Sequence, residues 1–268
     1  MTLGNLLAAL CLTALAWGPA WAGQPTLMPA VESFAREAQA SLEHLDRNLA
    51  RAARDLAQSG GLAGPEAREA LRALLKSSPQ AIDVCAVDLQ GRMVAIEPEA
   101  YRQLEGSDIS GQEQVRRLWQ GKRPVMSQVL RTVEGIEAVD MEHPVFNGNG
   151  DLLGSVSVLF RPEALLEAAW DKTETHQDLE PWAMDAAGRI IHDQDKHEVD
   201  RLLFSDDLYQ GFPQLLAMGR RMLAEPRGGG MYSFPAQGGR QALTKDCAWA
   251  TVELHGVWWR LVVARPRR

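Results

Sequence analysis

The sequence predicts an α+β protein: one long N-terminal helix, then two small units, each a central antiparallel sheet flanked by helices. Three observations carry that prediction. Apolar residues recur at steps of three and four through residues 29–59. A short pattern occurs twice, as Val87-Asp88-Leu89-Gln90-Gly91-Arg92-Met93-Val94 and as Met184-Asp185-Ala186-Ala187-Gly188-Arg189-Ile190-Ile191. The copies stand about 100 positions apart, the size of one small domain. After each copy the layout repeats: opening hairpin, intervening helix, closing antiparallel strands.

The chain begins with a targeting signature. Leu3 to Trp17 is almost wholly apolar, and Ala20-Trp21-Ala22 fits a small-x-small cleavage site. Residues 1–22 are read as a cleavable signal peptide that leaves Gly23 at the mature N-terminus, which places the protein in the periplasm. The alternative is an uncleaved N-terminal membrane anchor, reached only by counting Gly18 and Pro19 into the span. No second apolar segment of membrane length follows, so the mature protein is expected to be soluble.

Residues 23–78 form the helical region. Pro29 to Ser59 reads as the long helix, with Val31, Phe34, Ala38, Leu42, Leu45, Leu49, Ala52 and Leu56 on its inner stripe. Glu32/Arg36 and Glu43/Arg47 are four apart on its wet side. The narrow stripe would pack along a sheet or pair with a second copy of itself. Pro65 opens a second, shorter helix.

The first unit spans 79–170. Strands Ala81–Val87 and Met93–Ile96 flank the Asp88–Gly91 turn, and Gly111–Trp119 reads as a helix. Val125–Arg131, Ile136–Phe146 and Leu152–Phe160 read as strands; Asn147-Gly148-Asn149-Gly150 makes the last turn. Pro162–Trp170 is a helix leading out, and the polar run 171–180 is a linker. The second unit spans 181–268. It holds strands Trp182–Met184 and Arg189–His192, helical stretches around Val199 and over Phe212–Leu223, and strands Met231–Phe234, Ala242–Glu253 and Val257–Ala264. Gly228-Gly229-Gly230 and Gln237-Gly238-Gly239 read as turns.

The net charge of −7, with no basic stripe, excludes a general nucleic-acid role. Catalysis finds no foothold: there is no Gly-x-Ser-x-Gly elbow, phosphate loop or dinucleotide fingerprint. The run His192-Asp193-Gln194-Asp195-Lys196-His197-Glu198 is rich in metal-ligating types, but its two histidines are five apart and fit no helical metal motif. No metal and no cofactor are expected. Cys85 and Cys247 lie in strand-like runs of different units and read as buried small hydrophobes rather than a disulfide.

Several short motifs, in order, resemble the double Cache family of extracytoplasmic sensors, whose units are PAS-like. Gly121-Lys122-Arg123-Pro124-Val125-Met126-Ser127 resembles its post-helix turn, and His143-Pro144-Val145-Phe146 with Gly150–Gly154 its hairpin. In the second unit, Asp185 to Ile190 with His192, and Trp258-Trp259-Arg260-Leu261-Val262-Val263, resemble its opening hairpin and closing strand. The resemblance covers most of residues 30–264. It implies a ligand-binding first unit that is distal to the membrane, and a proximal second unit.

The resemblance also sets the functional expectation. The chain is expected to be a sensory module, without its own transmembrane output, that binds an organic acid, amine or amino-acid-like molecule. Its expected partners are a membrane-bound kinase or chemoreceptor and a homodimer mate through the long helix. The family's amino-acid-binding positions fall near Gln112, Gln114, Val115, Leu130 and Thr132, and none carries the family's residue. The ligand residues are therefore sought among polar side chains on or near the central strands: Trp119, Ser127, Gln128, Arg131, Asp140 and His143. Alternation puts Asp140 on the face opposite Val139 and Met141. The rival readings are a regulatory scaffold with an empty pocket and, last, a metal-dependent hydrolase.

Overall fold

The computed structural model describes residues 27–173, 178–235 and 241–267. The signal segment, the middle of the 171–180 linker and the Gln237–Gly239 turn lie outside the described residues. The first half holds α1 (Leu27–Gln58), α2 (Pro65–Ser77), β1 (Ala81–Asp88), β2 (Met93–Glu97), a 3-10 turn (Glu99–Leu104) and α3 (Glu113–Gly121). There follow β3 (Val125–Met126), β4 (Leu130–Arg131), β5 (Glu137–Phe146), β6 (Leu152–Phe160) and α4 (Pro162–Asp171). The second half holds β7 (Glu180–Asp185), β8 (Ile190–Asp193), α5 (Asp207–Gln210), α6 (Pro213–Ala224), β9 (Gly228–Pro235), β10 (Ala242–Leu254) and β11 (Val257–Pro266).

The strands form two antiparallel sheets. The first has the order β2-β1-β6-β5-β3, with β4 also on β5, and the second β8-β7-β11-β10-β9. The apolar stripe of α1 is buried along its length. It is spent inside the chain, packing on β5 and β6 of the first sheet and on β10 and β11 of the second. One continuous core therefore joins α1 to Val139, Met141, Val156 and Val158 on one side and to Val252, Trp259, Leu261 and Val263 on the other. Behind the second sheet, α6 closes a separate core around Trp249, Tyr209 and Phe234.

The repeated motif builds the same turn twice. Asp88 Oδ1 accepts the N–H groups of Gln90 and Arg92, both at 2.9 Å, and Asp185 Oδ1 those of Ala187 and Arg189 at 2.8 and 3.0 Å. Gly91 and Gly188 both have φ of +78°. Each glycine carbonyl accepts from the segment lying over the turn, Ile109 N–H at 2.8 Å and Leu203 N–H at 2.9 Å. The glycine serves both the left-handed backbone and the close approach. A Cβ on Gly91 would stand 2.7 Å from the Ser110 backbone, and one on Gly188 2.6 Å from the Phe204 ring. Gly91→Ala should cost more than about 2 kcal/mol, the left-handed penalty plus the clash. Gly188→Ala should cost less, because a ring can tilt and a backbone cannot. Urea unfolding of the two variants checks the order; equal or negligible losses would contradict it.

Four local expectations are corrected. The strand expected over 125–131 is two short pieces, because Ser127 turns its Oγ and N–H onto the Asp140 backbone and the chain leaves the sheet. The stretch around Val199 is not helical. Asp193 and Asp195 side chains take the N–H groups of Asp195 and His197, a local competitor of helix. Gly228-Gly229-Gly230 is strand, not turn: the Trp249 ring lies close over Gly228 and the end of the Met218 side chain over Gly230, so an added Cβ at either would force a neighbour to move. Glu43 pairs with Arg47 at 3.6 Å, but Glu32 pairs with Arg227, just before β9, rather than with Arg36.

Candidate functional site

Strand alternation gives the first sheet two unlike faces. Val84, Ala86, Val139, Met141, Val156 and Val158 face α1. The other face carries Asp83 and Cys85 on β1, Asp140 and Glu142 on β5, and Ser155 and Ser157 on β6, all buried. The segment around Ile109 and the β4 hairpin lie over this face. Between them and the sheet is a cavity of about 20 Å³, lined among others by Asp83, Asp140, Ser157, Gln112, Thr132 and Glu134. No lining residue is basic.

The acids here are held against their ordinary chemistry. Burial pushes the Asp83 carboxyl up to about 8, and the neighbouring charges of Glu134 and Asp140 add to the shift. Burial also raises Asp140, against opposing hydrogen bonds from its neighbours, including Gln114 Nε2 at 3.0 Å. Burial and then the adjacent Asp140 charge raise Glu142 well above the carboxylate range. Two like charges side by side in a dry site do not both ionise, so this pair retains a proton. Asp83 Oδ2, Asp140 Oδ1 and Glu142 Oε1 are buried with no hydrogen-bond partner. Unsatisfied buried oxygens of this kind cost stability unless something meets them.

The six residues singled out from sequence are not one constellation. Asp140 lines the cavity. Ser127 lies beside it, its Oγ accepting the Asp140 N–H at 2.9 Å. Trp119 packs against the cluster of Cys85, Met93 and Ile109 that walls the cavity, with its buried Nε1 unpartnered. Gln128 and Arg131 are exposed and outside the lining. His143 points to the opposite face, where its Nε2 meets Asp46 of α1 at 2.6 Å. Gln112, Leu130 and Thr132, noted from sequence only as family positions, do line the cavity. Asp83 was missed. Its signal was an acidic residue in the middle of the apolar run Ala81 to Val87.

The second unit has a cavity of about 40 Å³ among Trp182, Tyr209, Tyr232 and Phe234. It holds its own base: Lys245 Nζ pairs with Glu180 at 2.6 Å and donates to the Pro235 carbonyl at 2.8 Å. His192 faces α1, its ring centroid 6.1 Å from that of Phe34. Burial holds its pKa down to about 4, so it packs as a neutral ring. Cys85 and Cys247 are both free and buried. Among the described residues no helix is long and apolar enough to cross a membrane.

Residues 40–162 match the family model described as HK/GC/chemotaxis protein-like, sensor domain. An extracellular ligand binding receptor from Desulfohalobium retbaense is similar in structure, with a TM-score of 0.75 and 29% identity over 91% of this chain. The match covers 41% of that receptor, so the chain spans about two fifths of its length. The ligand-binding domain of the Pseudomonas aeruginosa chemoreceptor PctC in complex with GABA has a TM-score of 0.60 at 15% identity, covering 88% of this chain and 96% of that one. That of Pseudomonas fluorescens CtaA in complex with L-serine has a TM-score of 0.62 at 13% identity, covering 89% and 95%. No curated protein sequence matches the chain.

Proposed function

We propose that this chain, which has the double Cache fold and carries an HK/GC/chemotaxis-type sensor domain at residues 40–162, senses a small molecule bearing a protonated amine in its first-unit cavity. The observation that carries this reading is that every charged residue lining the cavity is an acid. Asp83 and Asp140 present unpartnered oxygens to a cavity with no basic side chain. An ammonium group would meet both and remove their desolvation cost. A plain organic acid would bring another buried negative charge and find no cation to pair with. GABA and L-serine, in complex with the two similar Pseudomonas domains, each carry an amine, and also a carboxylate for which this cavity has no basic lining side chain.

As it stands the cavity holds about one water. A ligand therefore enters by displacing the β4 hairpin over the sheet. The opposite face of that sheet rests on α1, so a shift of β5 and β6 reaches the helix that spans both units. A membrane-bound kinase or chemoreceptor, contacted on the outer side of the cytoplasmic membrane, is the reader that such a module serves. Dimerisation through α1 would have to use its polar side, because the apolar stripe is already covered.

Thermal melts against primary amines, amino acids and organic acids test the reading. An amine at 100 times its Kd should add about 2.7 kcal/mol of stability. Organic acids without an amine should add none. Stabilisation by no compound would favour a scaffold with a closed pocket; stabilisation by acids alone would overturn the ligand class.

A further inference from the structure

Three side chains far apart in sequence converge where α1 meets both units. Asp46 comes from α1, His143 from β5 and His255 from the β10–β11 turn. The Nε2 atoms of both histidines lie 2.6 Å from the same Asp46 oxygen. All three ligand atoms fall within 4.8 Å of one another. The imidazoles stand edge to face, 6.0 Å between centroids, so they approach the carboxylate from different directions. Among the described residues this is the one group of three potential ligands that converges in this way. The run from His192 to Glu198 does not.

We propose that Asp46, His143 and His255 form a binding site for a single zinc-class divalent cation that ties the two units to the long helix. Two imidazole nitrogens and one carboxylate oxygen are the donor set of open zinc sites, with a fourth position left for water or a partner's ligand. Magnesium and calcium prefer oxygen donors throughout.

No lysine or arginine among the described residues pairs with Asp46.

Zinc bonds of about 2.0–2.2 Å at tetrahedral angles set the ligand atoms somewhat more than 3 Å apart. The two Nε2–Oδ1 distances must therefore lengthen by less than about 1 Å. His255 can supply that travel. It sits in a two-residue turn with Gly256, at φ of +52° and +81°, and is only partly buried. Its carbonyl accepts from Arg117 of α3 at 3.2 Å, which keeps the turn against the first unit. Asn would be the commoner choice for such a turn, and histidine adds a ligand there.

The test is zinc titration of the metal-stripped chain against a chromogenic chelator, with cobalt absorbance in the visible as a second readout. The wild-type chain should take up one zinc, raise its melting temperature and give tetrahedral cobalt bands. His255→Asn keeps the turn preference and should weaken zinc by more than the 10–100-fold typical of outer-shell changes. His143→Gln should do the same, and His197→Gln should change nothing. Because His143 is buried, the His255 variant decides the matter if His143→Gln folds poorly. Absence of zinc uptake by the wild type, uptake undiminished in His255→Asn, or loss only in His197→Gln would overturn the proposal. None of these outcomes bears on amine binding in the first-unit cavity.

Discussion

Asp140→Asn should weaken binding of the stabilising amine by about 2–5 kcal/mol, at least roughly thirtyfold. The substitution keeps the shape of the side chain and removes its charge from a buried wall. What is lost is a charge-assisted hydrogen bond in a site where the ligand's ammonium has no water to fall back on. Glu142, also on this face, lies outside the lining and cannot take over the contact. Arg131→Ala and Gln128→Ala make the comparison. Both residues are exposed and off the cavity, so their effect should stay within about twofold. Calorimetric titration of the three variants checks the prediction. A large loss at Arg131 with none at Asp140 would reverse the assumed polarity of the ligand.

The second large effect is a pH dependence that runs in opposite directions for the free chain and for binding. Asp83 is held up to about 8 in the folded chain, against an ordinary value of 3.8. Between those values the unfolded chain is ionised at this position and the folded one is not. The folded state binds more protons there, so stability falls as pH rises from about 4 through 8. The full loss from this group is roughly 6 kcal/mol. Asp193 has its pKa raised to about 8 by burial and contributes in the same sense. The difference between wild type and Asp83→Asn isolates the first group. The Asn variant should gain on the wild type as pH rises from 4 to 8. Binding has the other sign. An ammonium beside Asp83 favours its carboxylate, so the amine displaces a proton and affinity rises with pH. The slope should approach tenfold per unit below 8 and flatten in Asp83→Asn. Denaturation and titration at several pH values read both trends. A binding curve that weakens with rising pH below 8 would rule out Asp83 as the ammonium's partner.

Much of the architecture was written locally. The stripe from Val31 to Leu56 needed only helical periodicity, and the Asp-x-x-Gly-Arg turns needed only a side-chain cap and a left-handed glycine. Both kinds of signal sit within a few residues. The β4 hairpin and the turns around Val199 were misjudged because Ser127, Asp193 and Asp195 bond to backbone, which apolar patterning does not register. The cavity was partly legible. Alternation set Asp140 apart from Val139 and Met141, and both of those do face α1. Asp83 reads as an oddity in an apolar strand until β1 is seen beside β6, two strands from Asp140. Asp46, His143 and His255 carried no joint signal. Only the packing of α1 across both sheets brings them together, and sequence spacing says nothing of that.

The acidic side chains of the first-unit cavity are the proposed seat of an ammonium group. A crystal structure of the chain with the amine that most raises its melting temperature tests this directly. The ammonium nitrogen should lie about 3 Å from oxygens of both Asp83 and Asp140, with the β4 hairpin moved off the sheet. An amine found instead in the second-unit cavity, between Trp182 and Phe234, would contradict it.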